Sequence, residues 1–190
     1  MLLSVAFVPP APVLDELNRI VDSSGWDPGQ LNRIATQDMQ LSVCAFGNVT
    51  RGDTEELSSA LERIAARWPT APTLRFSGGA ALEWPGDQTV WVKLTGEVEA
   101  LEAVAQSIAP AMLTLGFAVD RRRFRPWLPL GTVTPRTDLK FLERLLAALD
   151  AHQGETWEAT ELSLVRANYD NSRSEAPAFE VLRGFALPTP

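Results

Sequence analysis

Gln40-Leu41-Ser42-Val43 and Trp127-Leu128-Pro129-Leu130 are the two runs that organise this chain. In the first, Gln40, Ser42 and Cys44 alternate with Leu41, Val43 and Ala45. That is the period of a half-buried strand. The second opens a β-type run that continues to Val133, with Trp127, Pro129 and Gly131 on one face. The two runs lie 87 positions apart, as do Leu14 and Leu101, and Val5 and Val92. A constant offset between stretches of the same type points to an internal duplication.

Outward from these runs, each half reads strand, helix, strand, helix, strand, which makes the fold class α+β. The first half, about 1–87, has a strand at 4–8, ended by Pro9 and Pro10, and a helix at 13–21. A loop around Gly25, Pro28 and Gly29 leads to the strand of Gln40. Asp53 or Thr54 is expected to cap a helix running to Arg67, with Leu57, Leu61 and Ile64 inward, before a strand at 73–76. The second half, about 88–187, has strands at 89–95, 127–133, 157–165 and 179–187. Its helices span 98–115, with Leu101, Val104, Ile108 and Met112 on one face, and Thr137 or Asp138 to Ala151. The whole of 1–190 is read as one two-lobed domain. Lobes related by a pseudo-two-fold axis would set QLSV and WLPL facing each other across a groove, a common place for ligands.

Composition narrows the function. A net charge of −7 argues against a general nucleic-acid coat or a polybasic membrane binder and leaves room for a small local basic pocket. The N-terminal apolar run carries no Lys or Arg before it and stops at Pro9, so a first strand is expected there rather than a signal peptide. No apolar stretch has transmembrane length. A lone cysteine, Cys44, has no internal disulfide partner and cannot build a cysteine-based zinc cluster. A cytoplasmic protein is expected, with no metal and no cofactor.

The runs also carry a family resemblance. Residues 38–49, DMQLSVCAFGNV, and residues 124–131, FRPWLPLG, resemble the two signature stretches of the 2′-5′ RNA ligase and cyclic phosphodiesterase group of two-histidine (2H) phosphoesterases. Val90-Trp91-Val92 and the closing FEVLRGFAL of 179–187 are similar to that family as well. The resemblance implies antiparallel sheets, helices packed outside, and a groove between lobes holding one His-x-Thr-x motif on each side. In the family the histidines act as acid and base on a phosphodiester, and the hydroxyls hold its oxygens. Here the histidine positions are Gln40 and Trp127, and the threonine positions are Ser42 and Pro129. Glutamine and indole do not titrate near neutral pH, so neither can shuttle a proton. The single histidine, His152, falls at the end of the fourth helix, where it reads as a solvent-facing residue.

No catalytic residue is therefore expected, and the resemblance implies a degenerate, catalytically silent member. Its expected ligand is a nucleotide, a phosphate-bearing compound or another small molecule in the groove. The expected contacts are Gln40, Ser42, Trp127, Arg125, Lys93 and Tyr169. Trp127 and Pro129 either line a binding groove or fill it as core. Arg121, Arg122, Arg123 and Arg125 either draw an anion to the groove or form a solvated connection. Two other readings remain: an enzyme of different chemistry, and a module for a protein partner that the sequence does not name. Cys44 lacks a neighbour that would lower its pKa and reads as a buried, inert thiol. Trp26, Trp68, Trp84 and Trp157 read as core or loop anchors. Residues 168–177, NYDNSRSEAP, read as a flap over the groove.

Overall fold

A computed structural model of the chain describes residues 2–120, 123–168 and 178–189. In chain order the elements are β1 (Leu2–Phe7), α1 (Ala11–Ser23), β2 (Leu31–Arg33), a 3-10 turn (Thr36–Asp38), β3 (Leu41–Asn48), α2 (Arg51–Ala65) and β4 (Thr73–Ala81). There follow β5 (Thr89–Gly96), α3 (Val98–Thr114), β6 (Trp127–Val133), α4 (Leu139–Ala151), β7 (Trp157–Glu158), β8 (Glu161–Ala167) and β9 (Phe179–Ala186).

The helices form where apolar spacing and caps coincide. Leu101, Val104, Ile108 and Met112 of α3 are all buried. Asp138 caps α4 by accepting the Lys140 N–H at 3.2 Å. In α2 the cap is Thr50, not Asp53 or Thr54. The Thr50 hydroxyl accepts the Asp53 N–H and the Asp53 carboxylate accepts the Thr50 N–H, a reciprocal capping box. That exchange starts the helix at Arg51. The Thr50 hydroxyl also donates to the Asp53 carboxylate at 2.7 Å, and this bond first, with the Thr50 N–H second, holds the Asp53 carboxyl below its ordinary pKa. α2 also ends at Ala65, short of Arg67. The stretch read as one strand from 157 to 165 is two, β7 and β8, separated by Ala159 and Thr160. The loop before Gln40 contains the unexpected β2.

All strand pairs are antiparallel, in a four-stranded sheet of order β3-β1-β8-β9 and a five-stranded sheet of order β2-β6-β5-β4-β7. The sheets do not follow the halves of the sequence. β4, from the first half, pairs with β5 of the second; β8, from the second, pairs with β1 of the first. The exchange is mutual. Likewise β2 pairs with β6, while Val119 bridges to Phe46 of β3. Helices follow suit: α1 packs on α4, and α2 on α3. Shifted by 87 residues, α1, α2, β3 and β4 overlap α3, α4, β6 and β8. The first strand is the exception. Val5 sits opposite Cys44 and Val90 opposite Gly131, so this register matches Val5 with Val90 rather than Val92. Each half thus supplies a strand and a helix to the other, and neither can bury its apolar faces alone. Among the described residues no helix is long and apolar enough to cross a membrane.

Candidate functional site

β3 of one sheet and β6 of the other approach each other, and a cavity of about 680 Å³ opens between the sheets. Gln40, Ser42, Trp127 and Pro129 all border it. The positions singled out by the 87-residue offset are therefore brought together, and Trp127 lines the cavity without sealing it.

Each of the two strands slips register by one residue at the same relative place. Ser42 pairs with Ala6 but Cys44 with Val5, so Val43 has no counterpart in β1; Pro129 pairs with Trp91 but Gly131 with Val90, so Leu130 has none in β5. Val43 and Leu130 are again 87 positions apart. Such a bulge turns the residues beyond it to the other face. Expected alternation fails there for a physical reason. Gln40 and Ser42 stay on the groove side, joined by Ala45 opposite Ser4. Cys44, opposite the fully buried Val5, takes the core side, as does Gly131 opposite Val90. Burial first, and the Asp120 carboxylate second, push the Cys44 thiol up to about 12. At neutral pH it is a protonated thiol at the edge of the cavity, with no thiolate to attack anything.

The β6 side is an aromatic wall. The Trp91 ring lies 6.4 Å from Trp127 and 5.9 Å from Trp84, tilted in both cases. Asp87 builds this wall. Its carboxylate accepts the Trp91 indole N–H at 3.1 Å, the Thr89 N–H at 3.0 Å and the Glu83 N–H at 3.1 Å. Burial pushes the Asp87 carboxyl up, but these hydrogen bonds outweigh it and hold the group below its ordinary value. The Arg125 guanidinium lies 4.1 Å from the Trp84 ring centroid and 5.8 Å from Trp127. Among the described residues it makes no hydrogen bond or ion pair, so its donors remain free for a ligand.

Other expected residues fare differently. Arg123 borders the cavity along with Arg125. Lys93 does not border it; paired with Trp127, it holds its ammonium 5.2 Å from the Trp127 ring. Tyr169, Arg121, Arg122 and the expected flap beyond Asn168 lie outside the described residues. His152 is not solvent-facing. Its side chain is only 12% exposed, with Nε2 3.7 Å from Glu16 of α1, and it takes no part in the groove. Trp84, in the loop between β4 and β5, is also part of the groove wall. Nothing in its local sequence marks this, because a turn through Pro85 and Gly86 folds it back beside Trp91.

Comparison with known proteins agrees with this architecture. A family model described as the 2'-5' RNA ligase superfamily matches residues 42–171. An RNA 2',3'-cyclic phosphodiesterase of Geobacillus stearothermophilus is 26% identical over 153 residues, covering 80% of this chain and 46% of that protein. The chain spans about half the length of that curated relative. Escherichia coli LigT, solved in complex with 3'-AMP, superposes with a TM-score of 0.74 at 17% identity over 97% of each chain. TT0787 of Thermus thermophilus does so with a TM-score of 0.68 at 18% identity, over 100% of this chain and 99% of that one. Those two likenesses concern the fold alone. The match across residues 42–171, on two sheets that exchange strands around a central groove, makes this chain a member of the 2'-5' RNA ligase superfamily.

Proposed function

We propose that this member of the superfamily binds a nucleotide or other phosphate-bearing small ligand in its groove and does not cleave phosphodiesters by the two-histidine route. One observation carries the reading: Gln40 and Trp127 border a single open cavity at the positions where the family resemblance places the acid and the base. Each lost acid or base costs about 10²–10⁴-fold in rate. Pro129 offers no side-chain donor to a phosphate oxygen, and of the four motif positions only Ser42 keeps a hydroxyl. Ligand binding is supported by the cavity's size, which suits a nucleotide, and by Arg125 and Arg123 at its border. A thiolate enzyme is disfavoured by the high pKa of Cys44. The lone cysteine fits a reducing, cytoplasmic setting.

LigT has been solved with 3'-AMP, phosphate, NADP+ and ATP, and these are natural first probes for the present chain. In a thermal-shift screen, 2′,3′-cyclic nucleotides, 2′-5′-linked oligonucleotides or simple phosphates at millimolar concentration should raise the midpoint; a ligand at 100 times its Kd adds about 2.7 kcal/mol. No shift with any of them removes the binding half of the proposal. Hydrolysis of a cyclic phosphate at the rates of histidine-bearing relatives removes the other half. In the converse experiment, Gln40→His, Ser42→Thr, Trp127→His and Pro129→Thr are introduced together and should produce phosphodiesterase activity.

A further inference from the structure

The β3 side of the groove holds a polar group that phosphate binding leaves unexplained. Gln40 is 7% exposed and borders the cavity, yet its side-chain amide makes no hydrogen bond among the described residues. Its amide atoms are not among the buried, unpartnered polar atoms of the fold; they keep access to the cavity, uncommitted to any partner in the chain and open to a ligand. A carboxamide presents a donor and an acceptor side by side. That pair matches the edge of a nucleobase, as in glutamine on the N6 and N7 atoms of adenine. It is a poor match for a phosphate dianion, which has only acceptors to offer.

Across the cavity stand Trp91 and Trp127. Indole faces stack bases well, and the Asp87 hydrogen bond holds Trp91 in place to do so. A cationic ligand is disfavoured there, because Arg125 lies over Trp84 and Lys93 beside Trp127. The same two cations favour an anionic tail. Arg125, solvent-exposed and without a carboxylate partner among the described residues, is placed to receive it.

We infer that the groove reads a nucleobase at the place where the family resemblance puts the reacting phosphate. The base lies against Trp91 and Trp127 with its edge on the Gln40 amide, and the phosphate points outward to Arg125. The replacements at Gln40 and Trp127 are then a change of ligand orientation as well as a loss of chemistry. This inference rests on the ligand-binding reading above and goes further by naming which part of the ligand the former catalytic positions hold.

Calorimetric titration of the full chain with adenosine, inorganic phosphate and AMP separates the two. Adenosine, which carries no phosphate, should bind by itself. Gln40→Leu should weaken adenosine tenfold or more and leave phosphate unchanged. Arg125→Ala should weaken AMP while sparing adenosine. If adenosine does not bind the wild-type chain, the inference is overturned, and binding of phosphate or AMP alone would still uphold the broader reading. If none of the three binds, both are overturned. Adenosine binding that survives Gln40→Leu unchanged overturns the role of the amide. Thermal midpoints of the variants, measured alongside, show that each remains folded, and the wild-type titrations decide the main point without any variant.

Discussion

Replacing Gln40 with leucine should make the protein more stable. The side chains are close in size, so the change creates little void and little overpacking. What it removes is the amide of a residue that is 7% exposed overall, and that amide faces the cavity with no hydrogen-bond partner among the described residues. Burying such a group costs about 1–3 kcal/mol in protein mutational data. The amide borders an open cavity, where water satisfies part of its need, so the gain belongs at the low end, about 1 kcal/mol. For a chain of this size 1 kcal/mol moves the thermal midpoint by roughly 2–4 °C. Differential scanning calorimetry and urea unfolding both read it, and the urea m-value should not change. A fall of more than about 2 °C (on the scale just given) would refute the reasoning, because it would mean that the amide makes a stabilising bond in the folded chain. Taken with the expected loss of adenosine binding, a rise in stability would mark Gln40 as a residue kept for function at the expense of the fold.

Cys44 should resist alkylation by iodoacetamide at pH 8.5 in the native protein and react readily in urea; rapid native labelling would show that the thiol is neither buried nor suppressed. The sign of its pH dependence follows. Folded, the thiol keeps its proton up to about 12, while the unfolded chain loses it near 9.0, so its contribution to stability is whole below pH 9 and is lost as pH rises from there toward 12. Cys44→Ala should flatten the alkaline decline relative to wild type, and an unchanged slope would contradict this. At Gly131 a Cβ would stand 2.5 Å from the Asn32 carbonyl oxygen of β2, so Gly131→Ala should cost about 1–3 kcal/mol by overpacking. An unaltered unfolding midpoint would show that β2 does not pack there.

The helices were legible because burial of a helix face is written in local spacing. α3 shows it plainly, with the expected face at Leu101, Val104, Ile108 and Met112 buried in the structure. β2 was not legible. It has three residues, too few to display a period, and it exists because Gly131 lets its backbone come close to β6. The start of α2 is not legible for a related reason. Thr50, Asp53 and Thr54 are all good cap residues by type, and only the reciprocal bonds of Thr50 and Asp53 select one.

The site divides in the same way. The amino-acid sequence alone determined that Gln40 and Trp127 stand at the two positions where the family resemblance expects histidine, since the identity of a residue does not depend on how the chain folds. It also paired Gln40 with Trp127, because a repeat is a matter of covalent order. Tertiary structure decided the rest: that the groove is open, that Cys44 turns to the core beyond the bulge at Val43, that Trp84 lies under Arg125, and that each half of the chain lends its third long strand to the other. The period of a strand records which of its faces is buried. It carries no record of which strand lies alongside, where the register slips, or how far apart two sheets stand, because those depend on contacts between residues distant in sequence.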